Sequence, residues 1–226
     1  MRILLIGGTG TISSAITRQL AAGTDELWLL NRGNHKSETP NNVKQVIADI
    51  SNESDVLSQL GDMQFDAVCE FIGFLPSQVE RDIRLFKGRT RQYVYISSAS
   101  AYNKPAASHI ITEGTTLANP YWEYSRNKIA CEELLLREYR ENGFPITIVR
   151  PSHTYLLGDK SVSVVFDCTK LKRAVPGFQA TTRFDEGVHR CISYLLAHPE
   201  LQMEDTEFDV WCDRIIAAQE KAKELV

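Results

Sequence analysis

The chain has 226 residues, with 25 Lys and Arg against 29 Asp and Glu for a formal net charge of −4. The basic residues are scattered, which disfavours a nucleic-acid groove, and no apolar run is long enough to span a membrane. Cys69, Cys131, Cys168, Cys191 and Cys212 lie far apart without a C-x-x-C pair, the usage expected of reduced, mostly buried thiols in a cytoplasmic protein rather than of a zinc site or disulfide frame.

Ile3 to Ile6 is a continuous apolar run, too short for a helix, that stops at Gly7-Gly8-Thr9-Gly10. It reads as a buried parallel strand. Ile12, Ala15, Ile16 and Leu20 then recur at helical spacing, so the chain runs strand, tight turn, helix. Gly7-x-x-Gly10-x-x-Ser13 is a variant of the dinucleotide fingerprint, with serine at the third small position. Glycines allow close approach of a ligand, and the helix N-terminus turns unpaired N–H groups toward a pyrophosphate.

Glu26 to Leu30 is the second strand, ending at Asn31-Arg32-Gly33. An acid there would accept from both ribose hydroxyls of NAD, whereas an arginine accommodates the 2′-phosphate of NADP. Asn31 and Arg32 therefore favour NADP, with NAD as the alternative. Val43 to Ala48 reads as the third strand, followed by Asp49-Ile50, and Glu53 to Leu60 as a short crossover helix. Asp66 to Ile72 is the fourth strand, broken at Gly73, and Pro76 starts a helix with Val79, Ile83 and Phe86 on one face. Such alternation predicts a parallel, doubly wound sheet with ligands at the carboxyl ends of its strands.

Tyr93 to Ile96 is the fifth strand, with Ser97-Ser98-Ala99-Ser100-Ala101-Tyr102 at its carboxyl end. An irregular stretch from Asn103 to Asn119 leads to a long helix from Tyr121 to Asn142. Tyr124 and Lys128, at i and i+4, share one face of it. An unperturbed phenol is a poor base at neutral pH, and a neighbouring ammonium favours the phenolate. A nearby serine hydroxyl would hold a substrate oxygen while tyrosine exchanges its proton and a nicotinamide exchanges hydride. Phe144 to Val149 is the sixth strand, and Pro151 beyond it shapes the wall around a nicotinamide. His153 stands between a substrate contact and a structural role, the second favoured. No histidine, including His189 and His198, is assigned to a metal.

These residues together resemble the extended short-chain dehydrogenase/reductase family, in its NAD-dependent epimerase/dehydratase branch. The resemblance runs in order through Gly7 to Ile12, Asp49-Ile50, Ser97-Ser98, Tyr124-x-x-x-Lys128 and Arg150-Pro151. It implies a Rossmann-type sheet with a small, mostly helical C-terminal part. It also implies that Ser98, Tyr124 and Lys128 are catalytic, Lys128 also binding the nicotinamide ribose. Gly7, Thr9, Gly10, Thr11 and Ile12 match the phosphate turn, and Asp49 and Ile50 the adenine contacts. The wording of the chain is close to a bacterial subgroup related to chloroplast stem-loop-binding proteins. Ser13 departs from the family's third glycine and is expected to loosen helix–strand packing slightly.

Residues 1–155 are expected to form the dinucleotide-binding domain and residues 156–226 a shortened helical segment, the middle of the usual substrate lobe being absent. Phe184, Val188, Cys191 and Leu195 form one apolar stripe, and Trp211, Ile215, Ala218, Ala222 and Leu225 another, both read as core-facing. The expected function is NAD(P)-dependent epimerase, dehydratase or reductase chemistry on a small hydroxyl or keto substrate such as a nucleotide sugar, with self-association through uncovered apolar surface. The alternative is a non-catalytic dinucleotide-binding or RNA-associated module.

Overall fold

The computed structural model describes residues 1–33, 39–152, 165–178, 182, 184–199 and 206–223. In chain order the elements are β1 (Arg2–Ile6), α1 (Thr11–Ala21), β2 (Glu26–Asn31), β3 (Lys44–Ile47), α2 (Glu53–Leu60), β4 (Ala67–Glu70), α3 (Pro76–Phe86), β5 (Tyr93–Ile96), a short 3-10 turn (Ala99–Ala101), β6 (Ile110–Ile111), α4 (Glu123–Asn142), β7 (Ile146–Val149), β8 (Val165–Phe166), α5 (Thr169–Ala174), α6 (Phe184–Ala197) and α7 (Thr206–Lys223). They fall into two compact units, residues 1–107 with 115–154, and residues 108–114 with 155–226.

The first unit is built on a six-stranded sheet in the order β3-β2-β1-β4-β5-β7, every pairing parallel. Strand β1 alternates its side chains between two cores. Leu4 and Ile6 join Val56, Val68, Val79, Phe86, Tyr95 and Leu135, whereas Ile3 and Leu5 join Leu27, Leu29 and Val43 with Ile16 and Leu20 of α1. Burial on both faces explains why β1 is apolar throughout. Chain order proceeds outward from β1 through β2 to β3 and then returns to β4 on its other side. That reversal is the switch point at which such sheets open a crevice.

Local chemistry places the ends of the helices. Asn52 caps α2 by accepting from the Asp55 amide at 3.3 Å, and Pro76 starts α3 where a missing N–H is harmless. Gly143 stops α4 in the left-handed conformation, φ 68°, with its N–H on the Tyr139 carbonyl.

In the second unit β6 and β8 pair in parallel, Ile110 opposite Val165. These two-residue strands carry too short a pattern to be read from sequence. The apolar stripe expected to be core-facing on α6 is not so throughout. Val188 and Cys191 are partly buried, but Leu195 is exposed, as are Ile192, Tyr194 and Leu196. Apolar residues run round the end of this helix, and one face cannot bury them all. On α7, Trp211 is partly buried and Ala218 exposed, while the side chains of Ile215 and Ala222, and Leu225, lie outside the described residues. The thiols also differ from expectation: Cys131 is buried, Cys69 and Cys191 are partly so, and Cys168 is exposed. No helix among the described residues is long and apolar enough to cross a membrane.

Candidate active site

The turn after β1 is shaped by what its glycines avoid. Gly7 has φ +79°, and a Cβ there would stand 2.5 Å from Ile72 Cγ2; one on Gly8 would stand 2.4 Å from Leu29 Cδ2. Ser13 is buried. Its hydroxyl donates to the Gly7 carbonyl at 2.6 Å and accepts from the Gly10 amide at 2.9 Å. Serine therefore ties the turn to the first turn of α1, contrary to the loosening expected of it, because its hydroxyl supplies bonds that a third glycine would lack. Thr17 adds a bond from its hydroxyl to the Gly8 carbonyl at 2.8 Å. Gly10 is the N-cap of α1 and has no side chain to cap the amides of Thr11 and Ile12. Thr9 and Ile12 are partly buried beside it.

At the end of β2, Asn31 Oδ1 accepts from the Gly33 amide at 2.8 Å, and Gly33 turns the chain with φ 71°. Arg32 is exposed. Asp49, beyond β3, is also exposed, and its Oδ1 receives the Ser51 hydroxyl and amide at 2.6 and 2.9 Å. Those bonds hold its carboxyl below the usual range, with the charge of Arg32 contributing. Arg32 and Asp49 thus share one edge. Ile50 packs in the core with Val46, Ala48 and Val56 and is 8% exposed.

The third cluster lies at the ends of β4, β5 and β7. Ser98 follows β5 and starts the 3-10 turn, accepting from the Ser100 amide at 3.1 Å. Its side chain stands close enough to Tyr124 to influence the phenol. The Tyr124 ring sits between Trp122, at 4.7 Å between centroids, and Phe74, at 6.2 Å. Lys128, one turn further along α4, is 1% exposed. Its ammonium donates to the carbonyls of Gly73 and Ile96, each at 2.8 Å, over the rings of Tyr95, Phe74 and Tyr124 at 4.7, 4.9 and 5.7 Å. Pro151, after β7, accepts from the Ala99 amide at 3.0 Å, beside Ser98.

The electrostatics of this cluster differ from the sequence expectation in one respect. Burial raises the Tyr124 phenol above its ordinary value, and the neighbouring Ser98 side chain only partly opposes this. Burial likewise brings Lys128 down to about 8. The ammonium is committed to two carbonyls, so Tyr124 is stabilised as the neutral phenol rather than the phenolate.

Three buried acids, Glu70, Asp82 and Glu132, escaped the sequence reading, and two of them bear on this edge. Glu132 lies one turn beyond Lys128, fully buried, and receives Arg150 Nε at 3.0 Å and Nη2 at 2.6 Å, together with the Ser97 hydroxyl. Arg150 also donates to the Tyr102 hydroxyl at 3.2 Å. Glu132 thereby joins α4 to the ends of β5 and β7. Its spacing of four from Lys128 and eight from Tyr124 is the trace it leaves in the sequence. Glu70, at the end of β4, is the second.

The expected site residues thus occupy one edge of one sheet, the carboxyl ends of its parallel strands. The side chain of Thr11 and the whole of His153 lie outside the described residues. The N-cap of α1 at the side-chain-free Gly10 and the exposed polar edge at Arg32 and Asp49 suit an anionic ligand.

A model of the NAD dependent epimerase/dehydratase family matches residues 3–168. The chain is 29% identical over 170 residues to UDP-glucose 4-epimerase of Lactobacillus helveticus, covering 66% of this chain and 51% of that protein. It is 26% identical over 191 residues to 2'-dehydrokanamycin reductase of Streptomyces kanamyceticus, covering 84% and 53%. The solved structure of UDP-glucose 4-epimerase from Bifidobacterium longum in complex with NAD+ and UDP shares the fold, with a TM-score of 0.57 at 18% identity over 66% of this chain and 52% of that one. The chain spans about half the length of the curated relatives it matches.

Proposed function

The chain belongs to the NAD-dependent epimerase/dehydratase family, and we propose that it binds a nicotinamide dinucleotide along the carboxyl edge of its sheet and acts on a small hydroxyl or keto substrate. The observation that carries this reading is the buried ammonium of Lys128 set 5.7 Å from the Tyr124 ring centroid, with Ser98 beside it at the end of β5. The dinucleotide, when bound, supplies the hydride donor or acceptor. The amides of Thr11 and Ile12 would meet its phosphates, past the bare face of Gly10, with Gly7 and Thr9 completing the turn. Asn31, Arg32, Asp49 and Ile50 would meet its adenosine end, and Lys128 and Pro151 the nicotinamide end.

At the reacting carbon the chain supplies two hydroxyls. Ser98 orients the substrate oxygen, and Tyr124 exchanges the proton on it. A phenol held neutral by burial is a proton donor at neutral pH, so the resting arrangement suits protonation of a keto oxygen in the reducing direction. An exposed arginine at the end of β2, preceded by asparagine rather than an acid, favours NADP. A nucleotide sugar is the substrate class favoured by the names of the relatives. We assign dinucleotide binding to residues 1–155.

Isothermal titration with NADPH and NADH, beside a steady-state screen of nucleotide sugars and simple carbonyls, tests the reading. Tyr124→Phe should keep the dinucleotide Kd within about twofold while lowering turnover roughly 10²–10⁴-fold. Equal turnover by the phenylalanine variant would remove Tyr124 from its role, and failure to bind either dinucleotide would remove the reading altogether.

A further inference from the structure

Glu70 ends β4 at 0% exposure, and the reaction outlined above gives it no part. Its Oε1 accepts the Ile72 amide. Its Oε2 is buried without a donor, Arg81 Nη2 standing 3.9 Å away. Arg81 donates instead to Asp82 Oδ1, from Nε at 2.9 Å and Nη2 at 2.7 Å, and the Tyr93 hydroxyl donates to Asp82 Oδ2 at 2.8 Å. A buried carboxylate oxygen without a donor is costly, so this pair of acids is held with one proton. Asp82 has three donors and Glu70 one, which leaves the charge on Asp82 and the proton on Glu70. Burial first, then the Asp82 charge, hold the Glu70 carboxyl well above its usual range.

The turn that follows is pressed against this acid. A Cβ on Gly73 would stand 3.0 Å from Glu70 Cγ and 3.2 Å from the Tyr95 ring. The Gly73 carbonyl accepts both the Tyr95 hydroxyl at 2.9 Å and the Lys128 ammonium at 2.8 Å. Beyond it, the amides of Phe74 and Leu75 are held by Gln78 Oε1 at 2.7 and 2.9 Å. The turn is therefore pinned by Glu70 at one end and by Gln78 at the other. The titratable groups around Glu70 are Arg81 and Asp82 from α3, Tyr93 and Tyr95 from β5, and Lys128 from α4.

We propose that Glu70 is a positioning residue that works as a neutral acid, holding the Ile72 amide so that the Gly73 carbonyl seats Lys128. The inference rests on the reading of Lys128 as a site residue. Its consequence is specific: an amide can replace this acid, because glutamine is neutral, has the same shape and accepts from Ile72. Alanine cannot.

Three readouts without turnover test it. The infrared difference between the wild-type chain and Glu70→Gln at neutral pH should show one protonated carboxyl band lost. Lys128, followed by NMR of carbon-13-labelled lysine and assigned with Lys128→Met, should titrate near 8 in the wild-type chain. Glu70→Gln should leave that titration in place, whereas Glu70→Ala should raise it by about one unit or more as the turn loosens and water reaches the ammonium. The NADPH Kd should stay within about twofold for Glu70→Gln and rise about tenfold for Glu70→Ala, the loss expected for one buried hydrogen bond. No acid band, a fall of the Lys128 titration in Glu70→Gln, or an unmoved Lys128 in Glu70→Ala would each overturn the assignment. A chain that binds no dinucleotide but passes the infrared and lysine tests would refute the proposed function while leaving Glu70 as the residue that seats Lys128.

Discussion

Lys128 Nζ donates to the carbonyl oxygen of Gly73 at 2.8 Å, joining the long helix α4 to the turn after β4 by a buried ammonium. Both groups lie deep in the first unit, and the ammonium keeps its charge there at a cost. Burial brings it down to about 8 from an ordinary value of 10.5, so the folded chain binds this proton less tightly than the unfolded chain. Below pH 8 both states carry the proton and the cost is constant. Between pH 8 and 10.5 the folded state releases it first, and the stability contributed by this group rises with pH. The full rise is on the order of 3 kcal/mol. It is measured as the difference between wild-type and Lys128→Met unfolding free energies at pH 7, 8.5 and 10. A difference that falls across that window would show that Lys128 is stabilised, not penalised, in its charged form.

The serine at the third position of the glycine turn yields the second prediction. Ser13 holds the Gly7 carbonyl and the Gly10 amide at once, so Ser13→Gly, which restores the family's residue, should destabilise the chain. The expected loss is about 1–2 kcal/mol, one or two buried hydrogen bonds plus the added freedom of glycine in the first turn of a helix. A urea midpoint that moves down with an unchanged slope would confirm it. An upward shift would mean that packing against the strand outweighs the bonds.

A third prediction concerns the ion pair of Glu132 and Arg150. Glu132 is fully buried, and its bonds are the leading reason that the Arg150 guanidinium holds its proton more tightly than usual. Arg150→Met strands that carboxylate, which should cost about 3–5 kcal/mol. Adding Glu132→Gln should recover much of the loss, because the stranded charge is then gone. The strand end that carries Arg150 also carries Pro151, whose carbonyl holds the Ala99 amide next to Ser98. The single variant should therefore lower turnover as well as stability. Denaturant titration of the two singles and the double measures the coupling, and additive losses would show that the pair does not act as a unit.

The same residues show what a sequence reveals and what it hides. Leu4, Leu5 and Ile6 announce a buried strand because both faces of β1 are covered, and Gly7 announces the turn because Ile72 leaves no room for a side chain. Tyr124 and Lys128 are legible as a pair because one helix turn separates them. Glu70 is not legible, since its meaning depends on Asp82 in the next helix and on a proton that neither residue records alone. Glu132 is hidden for a like reason: its partner Arg150 comes 18 residues later. The direction of the Tyr124 shift was also out of reach. Spacing places an ammonium beside a phenol but does not show that Gly73 and Ile96 already take up its donors.

The last prediction turns on the end of β2. Arg32 is exposed, its neighbour Asn31 spends Oδ1 on the Gly33 amide, and its charge reaches Asp49 across the same edge. A 2′-phosphate placed there would gain a charge-assisted bond, worth about 1.5–3 kcal/mol. NADPH should then bind roughly 10- to 100-fold more tightly than NADH at low ionic strength, the ratio shrinking with salt because the arginine faces water. Arg32→Ala should bring the ratio close to one by weakening NADPH alone. Asn31→Asp should reverse it, since a carboxylate accepts from both ribose hydroxyls and repels the phosphate. Titration calorimetry of the three chains with both dinucleotides reads all of this directly. An NADH preference in the wild-type chain, left intact by Arg32→Ala, would show that the arginine merely faces solvent and that the adenosine end is set by Asp49.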